Sequence, residues 1–292
     1  MSNKDRSKIT PIQKRVFNSG VDIITFKGGI SNAIFQHSVL CQTFLPYRNP
    51  GNDITLWQQK QGDVNLAVQT SNAFNPETEK FEPVGLPYGA KARMILAYIN
   101  SEAIRTQSSI IDVEGSMSAF IKKIGWNVDG RTIKEVKNQL RRLTTSTLSL
   151  GYKEENRGLQ IDLKIIKAFD IWFPKDEAQR VLWTSTIQLT DDYMNSLLGH
   201  AVPLDQRALV SLSHNARALD IYAWLTQRLH RIPYNKPQFV AWAAIKEQFG
   251  SNYARMNTFK LRFRKDLKLA LSQYPKARIS EDLNKGFILH NS

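Results

Sequence analysis

One helical plan is written twice in this chain, and it constrains the fold more than any other feature. Near residues 91–145, KARMILAYINSEAIRT is followed by SAFIKKIG and then by RTIKEVKNQLRRLTT. Near 214–274, NARALDIYAWLTQRLHRI is followed by FVAWAAIKEQFG and then by RMNTFKLRFRKDLKLAL. Each copy reads as an amphipathic helix, a short helix closing on a glycine (Gly125, Gly250) and a long basic helix. A basic helix that follows a helix and a turn suits the major groove of duplex DNA, and two of them suit two successive grooves.

The third helix of each copy divides into faces. In the first, Ile133, Val136, Leu140 and Leu143 form an apolar stripe, while Lys134, Lys137, Asn138 and Arg141 recur at i, i+3, i+4 and i+7 on another side. In the second, Phe259, Phe263, Leu267 and Ala270 make the stripe, and Asn257, Lys260, Arg264, Lys265 and Lys268 lie largely away from it. After each basic helix the alternation changes to that of strands. TLSLGYKEENRGLQIDLKIIKAFDIWF reads as a hairpin turning at Glu155–Gly158, and ARISEDLNKGFILH as one turning at Asn284–Gly286. A hairpin after a helix–turn–helix is a wing. The fold class expected is therefore α+β, with tandem winged-helix domains. A basic tail is expected over 1–19, a first domain with a preceding helix and strands over 20–175, and a second domain over 176–292.

Charge agrees with that plan. Forty Lys and Arg against twenty-six Asp and Glu give a formal net charge of +14, which favours a polyanionic partner. Solvation alone also produces charged helix faces, since Lys and Arg are good helix formers. It is the recurrence of base, turn and hairpin in both copies that favours double-stranded DNA. Side-chain chemistry then divides the roles. Arg131, Asn138, Arg141, Asn257, Arg262 and Arg264 are candidates for reading bases, because Arg pairs with guanine and Asn with adenine. Lys134, Lys137, Lys260, Lys265 and Lys268 suit phosphates. Arg142 and Arg255 belong to the same two basic helices, and Lys153, Arg157, Lys276 and Arg278 belong to the wings, within reach of backbone or minor groove. Two different reading helices on one chain define a directional site with half-sites about 10 bp apart.

Elsewhere the pattern is less periodic. ISNAIFQHSVLCQTFLPYR carries a helix-like apolar face ending at Pro46, DITLW and DVNLAVQT read as strands, and SNAFNPETEKFEP reads as a loop. VLWTSTIQLT reads as a further strand, and Thr190 as the cap of a short helix whose Asp191 and Asp192 oppose its dipole. The single cysteine, Cys41, allows no intrachain disulfide and reads as a small core residue. No basic-then-apolar leader and no apolar run of membrane length is apparent, which points to a cytoplasmic protein and to no membrane partner.

Catalytic patterns are missing. The five histidines are scattered, neither FKGGIS nor PYGAKAR completes a phosphate-binding Gly-Lys-Ser/Thr loop, and neither GxSxG nor zinc-type Cys pairs occur. No enzyme activity, cofactor or metal is expected. A winged-helix transcriptional regulator, an autorepressor included, uses the same parts, and a non-specific nucleic-acid binder shares the charge.

GLPYGAKARMILAYINSEAIRTQS, SMSAFIKKIG and KNQLRRL, with CQTFLPYRNP upstream, resemble the plasmid-encoded RepA replication initiators, a TrfA-like group. The similarity runs from about residue 31 to 170, and beyond it rests on the repeated plan. The resemblance implies binding to repeated origin sites (iterons), help in opening an adjacent AT-rich region, recruitment of the host initiator and replicative helicase, and dimers that limit copy number or repress the protein's own gene. It maps DNA contact onto Arg131–Thr145 and Arg255–Leu271. The N-terminal segment and the edge of the first wing sheet are the surfaces open to a homodimer.

Overall fold

A computed structural model of the chain describes residues 10–25, 33–62, 64–75, 78–112, 117–154, 157–170 and 186–292. In chain order the elements are α1 (Pro11–Thr25), β1 (Ala33–His37), a 3-10 turn (Ser38–Cys41), β2 (Leu56–Gln61), β3 (Val64–Thr70), β4 (Asn72–Asn75), β5 (Lys80–Pro83), α2 (Gly89–Thr106), β6 (Ile110–Asp112), α3 (Met117–Lys123) and α4 (Gly130–Thr144). Then come β7 (Ser146–Glu154), β8 (Arg157–Lys164), β9 (Ile166–Asp170), β10 (Thr186–Leu189), α5 (Asp191–His200), β11 (Ala201–Asp205), α6 (Gln206–Leu212), α7 (Ala216–Leu229), β12 (Gln238–Ala241), α8 (Trp242–Gly250), α9 (Met256–Leu271), β13 (Ile279–Asp282) and β14 (Gly286–Leu289).

The repeated plan is present as two winged-helix units. In the second, α7, β12, α8, α9, β13 and β14 follow one another, and β14 lies between β12 and β13 in an antiparallel sheet. In the first, α2, β6, α3 and α4 are completed by β9 and β10, with β10 between β6 and β9. The β7–β8 hairpin forms, with Glu154 opposite Arg157, but it is inserted between α4 and β9 and continues the sheet β2-β3-β7-β8. The strand pair equivalent to the second wing is β9–β10. Ile165 and Ile166 are both buried, which breaks the alternation of β8 and carries the chain from one sheet into the other. Because β10 hydrogen-bonds to β6 and β9, a division at 175/176 would cut the first unit's sheet.

Three further segments differ from their sequence expectation. The run expected to be loose to residue 19 contains α1, whose Val16 and Gly20 are buried; residues 1–9 lie outside the described residues. The Gln273 amide donates to the Val16 carbonyl, and a Cβ on Gly20 would stand 2.5 Å from the Ser272 carbonyl oxygen, so α1 needs glycine to lie against the second unit. The apolar run before Pro46 forms β1 and the 3-10 turn rather than a helix, because β1 pairs with β11 and is covered by α2. Part of the expected loop at 71–83 is the hairpin β4–β5, closed by the exposed ring pair Phe74–Phe81.

The core is continuous through both units. In the second, the rings of Trp242, Phe259, Phe263 and Phe287 stack edge-on or tilted, and Phe249 joins them to Trp224 and to Phe44 of the N-terminal half. Such ring pairs add about 0.5–1.5 kcal/mol each beyond burial. Cys41 is fully buried, and burial pushes its thiol up. Thr190 caps α5 through its hydroxyl, which accepts from the Tyr193 N–H. No helix among the described residues is long and apolar enough to cross a membrane.

Candidate nucleic-acid interface

Each basic helix is set by its turn. Gly125 ends the α3 turn at φ +88°, and a Cβ there would meet Val210 at 2.5 Å. Asp129 then caps α4, its carboxylate accepting from the Thr132 N–H at 2.7 Å. In the second unit Gly250 is needed for a different reason. It has no left-handed φ, but any side chain there would run into the Phe259 ring, so α8 and α9 approach closely at this point.

The core-facing stripes Ile133, Val136, Leu140 and Met256, Phe259, Phe263, in each of which the first residue is half-buried, correspond in spacing, so the two helices compare position by position. Lys134 corresponds to Asn257, Lys137 to Lys260, Asn138 to Leu261, Arg141 to Arg264 and Arg142 to Lys265. Lys134 and Asn138 on α4, and Asn257, Arg262, Lys265 and Lys268 on α9, are exposed. Arg131 is 87% exposed and pairs with Glu135 one turn on at 2.9 Å. Glu135 also holds Lys91 of α2 at 2.6 Å, and Lys91 with Arg131 keeps its carboxyl below the usual carboxylate range. Arg255 stands exposed at the N-cap of α9.

Four expected contacts are placed less favourably. Lys137 and Arg141 are half-buried, and the Arg141 Nη2 atom is enclosed with no hydrogen-bond partner among the described residues. Lys260 and Arg264 lie over the Trp242 ring, each 5.1 Å from its centroid, and Arg264 also bonds Glu281 of β13 at 2.7 Å. Arg264 thus ties α9 to its wing instead of standing free to read a base.

Arg142 is the clear correction. It is 3% exposed and faces inward. Its guanidinium donates to Asn138 Oδ1 at 2.6 Å, the Leu86 carbonyl at 3.0 Å and Asn52 Oδ1 at 2.6 Å, and it lies over the Tyr88 ring. Burial lowers its pKa. It holds α4 to the segments before α2 instead of standing on the exposed face of the helix. At the second wing, Lys276 and Arg278 are exposed, whereas the expected first-wing residues Lys153 and Arg157 fall on the inserted β7–β8 hairpin and not on β9–β10. Lys153 and Arg157 flank the β7–β8 turn, but their side chains lie outside the described residues.

Arg48, Leu261 and Leu283 are also exposed close to α9 or its wing, and the sequence did not single them out. Arg48 lies in an irregular stretch with no period to mark it, beside Ser251 and Asn252 of the turn that opens α9. Leu283 tips the second wing, where Asp282 Oδ1 accepts from the Asn284 and Lys285 N–H groups. The signal for Leu261 was legible, for it is an exposed apolar residue that falls outside the stripe of Phe259, Phe263 and Leu267.

The sequence profile of the plasmid-encoded RepA proteins matches residues 86–244, more than half of the chain. The chain belongs to this family of plasmid replication initiators. The match spans α2 to α8 and so crosses from the first winged helix into the second. Among solved structures, a selenomethionine crystal structure of domains 2 and 3 of RctB is similar at TM-score 0.53 and 7% identity, over 86% of this chain and 97% of that one. A second crystal structure of RctB domains 2–3 gives TM-score 0.48 and 8% identity, over 79% and 82%. At such identity the likeness concerns the fold. A search of curated proteins returns no match. Among the described residues no group of three or more His, Cys, Asp or Glu is arranged to hold a metal ion.

Proposed function

We propose that this RepA protein binds repeated duplex sites at a plasmid origin, with α4 and α9 entering successive major grooves. The observation that carries this reading is the occurrence of two winged-helix units in one chain, each with an exposed polar and cationic stripe on its third helix: Arg131, Lys134 and Asn138 on α4, and Asn257, Arg262, Lys265 and Lys268 on α9. A recognition helix presents its N-terminal turns to base edges while neighbouring groups hold the phosphates. Half-sites would lie about one helical turn apart, and the difference between the two helices makes the site directional. Opening of an adjacent AT-rich stretch, recruitment of the host initiator and helicase, and self-association belong to the same reading.

Selection from a randomised duplex pool by the purified full chain, followed by footprinting, tests it. The expected result is an asymmetric site about two turns long, with two major-groove footprints and a log–log salt slope of about −0.9 per phosphate contact. Equal affinity for selected and random duplex across the salt series would refute sequence reading. A single palindrome at the gene's own promoter, without tandem sites, would favour the repressor instead.

A further inference from the structure

We propose that Leu261 reads a thymine methyl group in the half-site entered by α9. This rests on the DNA-reading proposal above and deepens it. Leu261 is 69% exposed, in the middle of a helix whose other exposed positions in the same region are Asn257, Thr258, Arg262, Lys265 and Lys268. An isolated surface leucine needs no explanation by itself. Its position does. Asn257 and Thr258 stand one turn before it and Lys265 one turn after it, so it shares their face. That face is directed away from the buried stripe of Phe259, Phe263 and Leu267, and among the described residues no core side chain covers it.

The comparison between the two helices sharpens the assignment. Leu261 occupies the position that Asn138 occupies on α4, and both are exposed. In the major groove, adenine presents an acceptor and a donor that match an Asn amide, while thymine presents a C5-methyl that matches an apolar side chain. One position of the repeated plan therefore carries an amide in one unit, its Oδ1 already accepting from Arg142 and its Nδ2 hydrogens directed outward as donors, and an apolar side chain in the other. The cations around Leu261 supply the phosphate contacts that bring an apolar group into the groove. In water this leucine gains nothing, and against a methyl group it removes apolar surface from solvent.

The test replaces thymine by deoxyuracil, one position at a time, in the duplex that the full chain enriches from a randomised pool. This removes the methyl and leaves the pairing edge. Wild-type protein should lose about fourfold in affinity at one position in the α9 half-site, the effect expected for about one buried methyl-sized group. Leu261→Ala should lose a similar factor on thymine DNA and bind thymine and deoxyuracil DNA alike. Leu261→Asn should shift the preference at that step toward adenine. Because Leu261 is exposed, both variants should keep the wild-type unfolding midpoint. If wild-type protein enriches a specific site but ignores every thymine-to-uracil exchange, or if Leu261→Ala keeps the wild-type sensitivity, the methyl contact is wrong while sequence reading stands. If no site is enriched at all, both proposals fail together.

Discussion

The guanidinium of Arg93 on α2 forks onto the carboxylate of Asp220 on α7, with Nε to Oδ1 and Nη2 to Oδ2 both at 2.7 Å. Its remaining hydrogens go to the carbonyls of Leu45, Pro46 and Gly89. Both side chains are less than a tenth exposed, so the first helices of the two winged units are joined through a desolvated ion pair, with the segment at 45–46 held in the same grip. Neighbouring contacts extend the join: the Gln248 amide donates to the Gln42 carbonyl, and Phe44 packs on Phe249. If α4 and α9 are to read two half-sites at fixed spacing, this is the part of the molecule that fixes it.

Breaking that pair strands a charge inside the protein. Arg93→Ala leaves Asp220 without a counter-ion and should cost about 3–5 kcal/mol in denaturant unfolding. Arg93→Lys keeps a charge but loses the fork, and should recover only part of the loss. A change below about 1 kcal/mol for Arg93→Ala would show that water reaches the pair.

Arg142 makes a contrasting prediction, because its charge serves the fold. Arg142→Ala removes donors from Asn138, the Leu86 carbonyl and Asn52, and should cost about 2–4 kcal/mol of stability. The folded fraction should keep its salt slope, since no phosphate contact is removed. A slope flattened by about one unit at unchanged stability would instead restore Arg142 as a phosphate contact.

How much of this was legible in the sequence follows from what each residue does. The helix spans and buried stripes of α4 and α9 were legible, since Val136 and Leu140, like Phe259 and Phe263, recur at helical spacing. The second wing was legible from alternation around a short turn. Arg142 was misread because a basic residue on a basic helix carries no mark of which way it faces; only the position of Asn52 and Leu86 in space decides it. The β1 segment was misread because Phe35 and Val39 stand four apart, as on a helix, while its pairing with β11 depends on a strand more than 160 residues away. The Arg93–Asp220 pair was invisible for the same reason. The insertion of β7–β8 was hidden because a hairpin reads the same whichever sheet it joins.

Two cations of α9 should behave differently. Lys268 is exposed on the last turn, so Lys268→Ala should weaken all duplexes alike and flatten the salt slope by about one unit. Arg264 is shared between Trp242 and Glu281, so Arg264→Ala should loosen the wing against α9, with a small loss that is equal across sequences and a slope left unchanged. Competition binding on selected and random duplex separates the two. A loss confined to selected sites in Arg264→Ala would make it a base reader after all.

Acid should act through His37. The ring is 3% exposed, stacks on Tyr193 and His200, and accepts from the Val39 N–H through Nδ1. With Nδ1 accepting, the neutral ring carries its proton on Nε2, 3.0 Å from the Ser196 hydroxyl. Burial, with His200 adding to it, lowers the His37 pKa from 6.5 to about 4. Between those values the unfolded chain binds a proton that the folded chain refuses. The stability conferred by the neutral ring is therefore complete above pH 6.5 and is lost as pH falls toward 4, by about 3 kcal/mol in all. His37→Asn keeps a side-chain acceptor at the cap and removes the titration. Denaturant unfolding from pH 4 to 7 should give wild type the steeper acid loss, with the difference concentrated below pH 6.5. Parallel curves for the two proteins would mean that His37 accepts its proton without leaving the fold.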